Sequence, residues 1–373
     1  MSYTGQYAVT INGTAWTSYV INVSLTVGRQ QFTDRWVPDT AVIELLAPAN
    51  SGPTIPSLGD QIYFDYQVSP PSLFKGVIVD IERSYGIPYA SATGYAPADR
   101  LTIRAQAEAT NEPARAIATG VTISTNADLS VAISDVWFAA INALSAPGID
   151  GPGAAFIAQA ETYTGNVLDY VNSCMISCAG YLYDNGSVNL KSNGYRSGTN
   201  LINFTDTGSQ SSSTHTYFYD AIDFLATVDN SYTRVRVGYN NGSATATAST
   251  GTIPYTAYQT TSNLKNLSEA QQVADVDLAI LSQSGYRPFR ISTKASIVGS
   301  FDLASQLRQN PVGTRVAVTF RGTTYQMICE GYSCSQDLED ARWTFYFSPA
   351  LAVPLILDSA TVGILDTNTL SLG

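Results

Sequence analysis

Four groups of residues in this 373-residue chain are of types that do chemistry. Two are cysteine pairs, Cys174 with Cys178 and Cys329 with Cys334. Together they supply four thiols, the number that closes a structural zinc site. The third is the single histidine, His215. A Ser-His-Asp or Cys-His mechanism has to recruit it. The fourth is two sets of carboxylates, Asp80 with Glu82, and Asp337 with Glu339 and Asp340. Glycoside hydrolysis asks only for two such acids held at a fixed gap. The sequence carries no G-x-G-x-x-G and no Walker loop, so phosphate cradling has no support.

The surrounding pattern weighs against each chemical reading. Cys174 and Cys178 share one helical face with Leu168, Val171 and Met175. On that face they read as small core hydrophobes. Gly180 is placed to end the helix, and Asp184-Asn185-Gly186 is a type I′ hairpin candidate just beyond it. Cys329 and Cys334 flank an expected turn at Gly331 and also read as core. His215 lies in the polar run SSSTHTY, with no G-x-S-x-G motif in the chain, and reads as a loop residue. The acids fall at expected strand ends and turns, where solvated carboxylates are normal. Tyr-rich strands would suit a sugar-binding face, but strand aromatics more often form core and cross-strand pairs. No catalytic, cofactor-binding or metal-ligating residue is expected, and no cofactor.

The elements around these groups are mostly strands. YAVTING ends in an Asn-Gly turn, and SYVINVSLTVGR turns Ile21, Val23, Leu25 and Val27 to one side. TAVIELLAP, GDQIYFDYQV, SLFKGVIVDIERSY and DRLTIRAQA complete six short strands in about 100 residues, which suggests a small antiparallel barrel or sandwich. The period then lengthens. Val131, Val136, Phe138, Ile141 and Leu144 fall at spacings that fit a helix better than a strand, and the cysteine helix follows. Strands return from residue 200, interrupted by one helix near 268–284. A Ser268/Gln271 capping box opens it, and Val273, Val276, Ala279 and Ile280 share a face. Ser145 to Gly153 and Thr205 to His215 read as linkers.

Charged residues are only 13%, with 30 acids against 19 bases and a net charge of −11. A basic footprint for gripping nucleic acid is missing. Four cysteines make no disulfide framework. MSYTGQYAVTINGT has neither a basic start nor an apolar run, and no 18-residue apolar stretch occurs. The expectation is a chain made in a cytoplasm, without a membrane span.

The order of segments resembles the baseplate-hub and minor tail proteins of tailed bacteriophages, both contractile-tailed and siphophage. VSLTVGRQQFTDRWVPDTAVIELLAPAN is similar to the family's opening strand ending in Gly-Arg and the strand after it. GDQIYFDYQ followed by Phe74, Gly76, Ile78 and Asp80 resembles its Gly-Asp strand and Phe-x-Gly-x-Ile/Val-x-Asp motif. NVLDYVNSCMISCAGYLYDNGSVNL resembles the family's helix and hairpin. GTRVAVTF, the Glu330-Gly331 strand, and Trp343-Thr344 leading to Ser348-Pro349 resemble its closing barrel strands. The loop QVSPPS and the Tyr- and Asn-rich 200–260 region depart from that pattern.

The resemblance implies a mainly β fold with an α/β insertion and two tail-tube-like antiparallel β-barrel domains. The implied division is a first barrel at 1–110, an α/β middle domain at 111–200, a second barrel at 201–350 and a C-terminal arm at 351–373. It further implies a homotrimeric ring at the virion's tail tip, joining the sixfold tail tube to threefold tip components. Its neighbours would be the tail tube or distal tail protein above and fibre or spike proteins below, with the tape-measure protein a further candidate. DNA would pass through an acidic lumen without sticking. A receptor- or carbohydrate-binding tail module is the competing expectation, and a tail-associated cell-wall hydrolase a third.

Overall fold

The computed structural model describes residues 8–48, 54–65, 73–85, 98–141, 149–150, 155–184, 188–191, 202–225, 232–250, 257–282, 287–298, 303–307, 311–337 and 340–350. The arm from Leu351, the turn at Asn185-Gly186, Glu339, the QVSPPS loop and most of the Ser145–Gly153 linker lie outside them.

The first 107 residues form β1 (Ala8–Ile11), β2 (Thr14–Ala15), β3 (Val20–Gly28), β4 (Thr40–Pro48), β5 (Gln61–Asp65), β6 (Phe74–Ser84) and β7 (Ala98–Ala107). Asn12 and Gly13 both take positive φ, so β1 and β2 close the expected Asn-Gly hairpin. Val23, Leu25 and Val27 of β3 point into the core as their alternation demands. Ile21 does not, because a bulge between Val20 and Asn22 shifts the pleat and buries Val20 instead.

A middle stretch follows with α1 (Glu108–Asn111), β8 (Ile117–Ile123), α2 (Leu129–Ala140), β9 (Ile149–Asp150), β10 (Glu161–Asn166), α3 (Val167–Ser177), β11 (Tyr181–Asp184) and β12 (Val188–Lys191). The inward face of α2 is Leu129, Ala132, Ile133, Val136 and Trp137. Val131 and Phe138, part of the spacing that reads as helical, turn outward and are 45% and 51% exposed. Asp128 caps the helix by accepting from the Val131 amide, which sets the first turn and with it the phase. In α3 the expected face is buried throughout, from Leu168 to Cys178. Its end differs in one residue. Ala179, not Gly180, takes the left-handed conformation at φ 48°, while the Gly180 amide closes back on the Met175 carbonyl.

The last third contains β13 (Ile202–Thr205), β14 (Thr216–Phe218), β15 (Ala221–Leu225), β16 (Arg234–Tyr239), β17 (Ala244–Ser249), β18 (Ala257–Thr261), α4 (Leu267–Leu281), β19 (Arg287–Lys294), α5 (Ala295–Val298), α6 (Leu303–Leu307), β20 (Arg315–Phe320), β21 (Thr323–Gln336) and β22 (Ala341–Pro349). The Ser268/Gln271 box does not form. Asn266 is the cap residue of α4, and Glu269 reaches back to Asn266 and to the Ile157 amide. A partner outside the helix therefore sets the start two residues early. The turn expected at Gly331 is instead a bulge inside the 14-residue strand β21.

The chain is mainly β. Fourteen strands join in one curled, largely antiparallel sheet, with β14, β13 and β20 pairing in parallel. Its main path runs β14-β13-β20-β21-β3-β4-β7-β6-β5-β1-β2, and β22, β19 and β15 branch from β21. Strand β21 holds the two arms together. Along one edge, Thr323–Ile328 pairs with β20 and Gly331–Gln336 pairs with β3. Its other edge carries β22.

One hydrophobic core lies under this sheet, from Val9 through Phe204 to Phe347. A second core gathers α2, α3 and α4 with β16 and β17, including Trp137, Val171, Val235, Ala246 and Val273. The stretch 234–281 thus packs with residues of the middle stretch, and β16, β17 and β18 form their own three-stranded sheet.

Candidate functional site

The groups that could do chemistry are held apart. Cys174 and Cys178 belong to the helical core, while Cys329 and Cys334 belong to the core under the large sheet. Each thiol is buried and free. Burial raises all four pKa values, Cys178 and Cys334 to about 12 and the other two further. A neutral, enclosed thiol is a poor nucleophile and a poor metal ligand. Among the described residues, no three His, Cys, Asp or Glu side chains gather as a metal-binding group.

His215 sits at φ 48° in the turn before β14, where its carbonyl accepts from the Asn203 amide. Asp80 lies exposed on β6 beside Arg104, at 3.7 Å, and Glu82 is exposed on the same strand. Asp337 and Asp340 build the β21–β22 turn. Asp337 accepts from the Asp340 amide at 2.9 Å, and Asp340 accepts from both the amide and the hydroxyl of Ser296. The acids described here act as turn formers and surface charges.

A polar cluster that no spacing announces lies where β21 changes neighbours. Glu330 is the extra residue of the bulge and is fully buried. Its carboxylate receives three donors from three parts of the chain. Arg29 Nε, just past β3, donates to Oε2 at 2.8 Å. The Tyr181 hydroxyl, on β11, donates to Oε1 at 3.1 Å. The Ser348 hydroxyl, on β22, also donates to Oε1. Arg29 is itself only 7% exposed. Its guanidinium lies 4.9 Å from the Tyr181 ring centre and 5.0 Å from that of Phe32. Its Nη1 reaches the Asp34 carbonyl at 3.4 Å and the Met175 sulfur at 3.9 Å.

Two glycines let the backbones come this close. Gly28 and Gly331 are directly paired, and a Cβ on Gly331 would stand 2.4 Å from the Val27 carbonyl oxygen. A Cβ on Gly28 would stand 2.5 Å from the Glu330 carbonyl oxygen, and Gly28 also needs its φ of +74°. Asp39 accepts from the Gly28 amide at 3.0 Å, which ties the outgoing loop to the same point. The Gly28-Arg29 and Glu330-Gly331 motifs are therefore two halves of one buried junction between sheet arms and helical core. Its chemistry is that of a lock: an ion pair, two hydroxyl donors and two aromatic faces.

No protein-family model matches the sequence, and no curated protein matches it. Solved structures do match its shape. A tail protein from Neisseria meningitidis superposes with a TM-score of 0.60 over 94% of this chain and 99% of the other, at 13% identity. A 43 kDa tail protein of prophage MuSo2 from Shewanella oneidensis superposes at 0.62 over 92% and 98%, at 10% identity. An Escherichia coli component of the type VI secretion system, described as structurally similar to the bacteriophage T4 tail proteins gp27 and gp5, superposes at 0.52 over 95% and 80%, at 8% identity. The resemblance to phage tail proteins read from motif order holds at the level of the fold.

Proposed function

We propose that this chain, which has the fold of phage tail proteins, is a structural hub or minor tail protein of a bacteriophage tail tip. The observation that carries the reading is end-to-end coincidence with two tail proteins, over 94% and 92% of this chain and nearly all of theirs. A fold alone permits many functions. Here the site adds to it, since the most elaborate polar cluster described braces one module against another.

In this reading three copies form a ring that continues the sixfold tube and hands over to threefold parts below. The two barrel units are 1–110 and 201–350, the latter interrupted by the excursion at 234–281 into the helical core. Open sheet edges, a liability in a monomer, serve as pairing surfaces between copies. The net charge of −11 suits a channel that DNA must pass without sticking. The tube or distal tail protein lies above, and fibre or spike proteins lie below.

Native mass measurement with and without a tube partner tests this, together with electron microscopy of tagged particles. A trimer or ring located at the tail tip is the expected result. A monomer retained on host cell walls would instead favour a receptor-binding module. Peptidoglycan turnover lost on one Asp→Ala substitution would show an enzyme.

A further inference from the structure

The sheet of β17, β16 and β18 has helices on one side. Helix α4 packs against β16 and β17, and α3 against β18. Val235 and Val237 of β16, with Ala248 and Ala246 opposite them on β17, are buried in the helical core. Alternation sends Arg234 and Arg236 to the other side. Across the register, Ser249 and Thr247 of β17 flank them on one hand, and Ala257 and Gln259 of β18 on the other. Arg234 is partly covered and the other five are exposed. None of the outward positions of the three strands is acidic or aromatic. The two arginines also differ from Arg29, Arg35, Arg83, Arg104, Arg290 and Arg342, each of which pairs with a carboxylate. Among the described residues Arg234 and Arg236 form no ion pair, and Arg234 Nε has no hydrogen-bond partner.

Two cations on alternate residues of one strand stand about 6.7 Å apart along it, two rises of about 3.3–3.4 Å each. The same repeat separates alternate side chains of any other extended chain. We propose that this face docks an extended acidic segment of a partner protein, one that carries carboxylates on alternate residues. Each guanidinium takes one carboxylate through two parallel N–H donors. The Thr247 hydroxyl and the Gln259 amide offer further donors from either side of Arg236. Other anions fit less well. A sugar or a single-stranded nucleic acid asks for an aromatic stacking platform, which the outward positions lack. A nucleic acid also meets a chain of net charge −11. A pair of carboxylates needs only the two local cations, because charges beyond about 8–10 Å are screened at physiological salt. Such docking needs this sheet alone and is independent of where in a particle the chain sits.

The test titrates the full chain, at low ionic strength, into a short labelled peptide of alternating Glu and Thr. A peptide of the same composition with its glutamates in one block is the control for net charge. The alternating peptide should bind about threefold more tightly than the block peptide, and Arg236→Glu should weaken it about tenfold. Thr247→Glu, which removes neither arginine but sets a competing carboxylate beside Arg236, should weaken it as well. Both variants should keep the wild-type Tm, since both side chains are exposed. Equal binding of the two acidic peptides would overturn the proposal. So would binding that Arg236→Glu and Thr247→Glu both leave intact. An oligothymidylate of matched length that binds as tightly as the alternating peptide would show a nucleic-acid surface instead.

Discussion

At the residue scale the junction makes sharp demands. A buried ion pair adds little net stability when intact, but removing one member strands the other in a low dielectric. Glu330→Ala should therefore destabilise the protein by about 3–5 kcal/mol, read from denaturant midpoints, whereas Arg29→Met with Glu330→Leu together should recover most of that loss. The buried thiols set a different limit, in alkali. Their folded pKa values lie above the ordinary value of 9.0, so above pH 9 the unfolded chain gives up protons that the folded one retains. Stability is full below pH 9 and should fall as pH rises towards 12. Replacing the four thiols by alanine should flatten that slope, measured as ΔG against pH. The helical face of Cys174 and Cys178 was legible in the sequence because it is a local period. The Arg29–Glu330 pair was not, since its members are 301 residues apart and each looks like an ordinary strand-end charge.

At the element scale, turn chemistry was the most legible feature, because an Asn-Gly pair dictates its own backbone. One turn breaks the habit. Arg321 and Gly322 close the β20–β21 hairpin with φ of 50° and 80°, so a side chain with no liking for the left-handed region holds the first position. Arg321→Asn should raise stability by about 0.5–1 kcal/mol, visible as a higher Tm. Gly331→Ala acts the other way. Its Cβ meets backbone oxygen, which cannot swing aside, so a loss of about 2–4 kcal/mol or failure to fold is expected. Helix phases were less legible. On α2, Asp128 sets a register that turns Phe138 outward, and on α4 the distant Ile157 amide recruits Glu269. Both signals come from outside the apolar pattern. Gly331 looked like a turn because a glycine between two strand-like runs usually is one. Only the register of β3 and β22 against β21 marks it as a bulge.

At the scale of the whole molecule, the mainly β class and the family likeness were legible because they rest on the order of many weak motifs. The partition of the core was not. Val235 and Val237 read as ordinary alternating strand residues, yet they belong to the helical core, on a strand packed against α4, rather than to the core under the large sheet. Nothing local distinguishes two destinations for the same apolar pattern.

Strand β21 has one more consequence. Its first half is bonded to β20 and its second to β3, while β22 runs along the opposite edge. A force drawing the two arms apart along this strand meets its hydrogen bonds sideways, many at once, instead of peeling them singly. Like a splice in a rope, the shared strand carries tension through the joint, and the buried carboxylate at its midpoint keeps the splice from slipping.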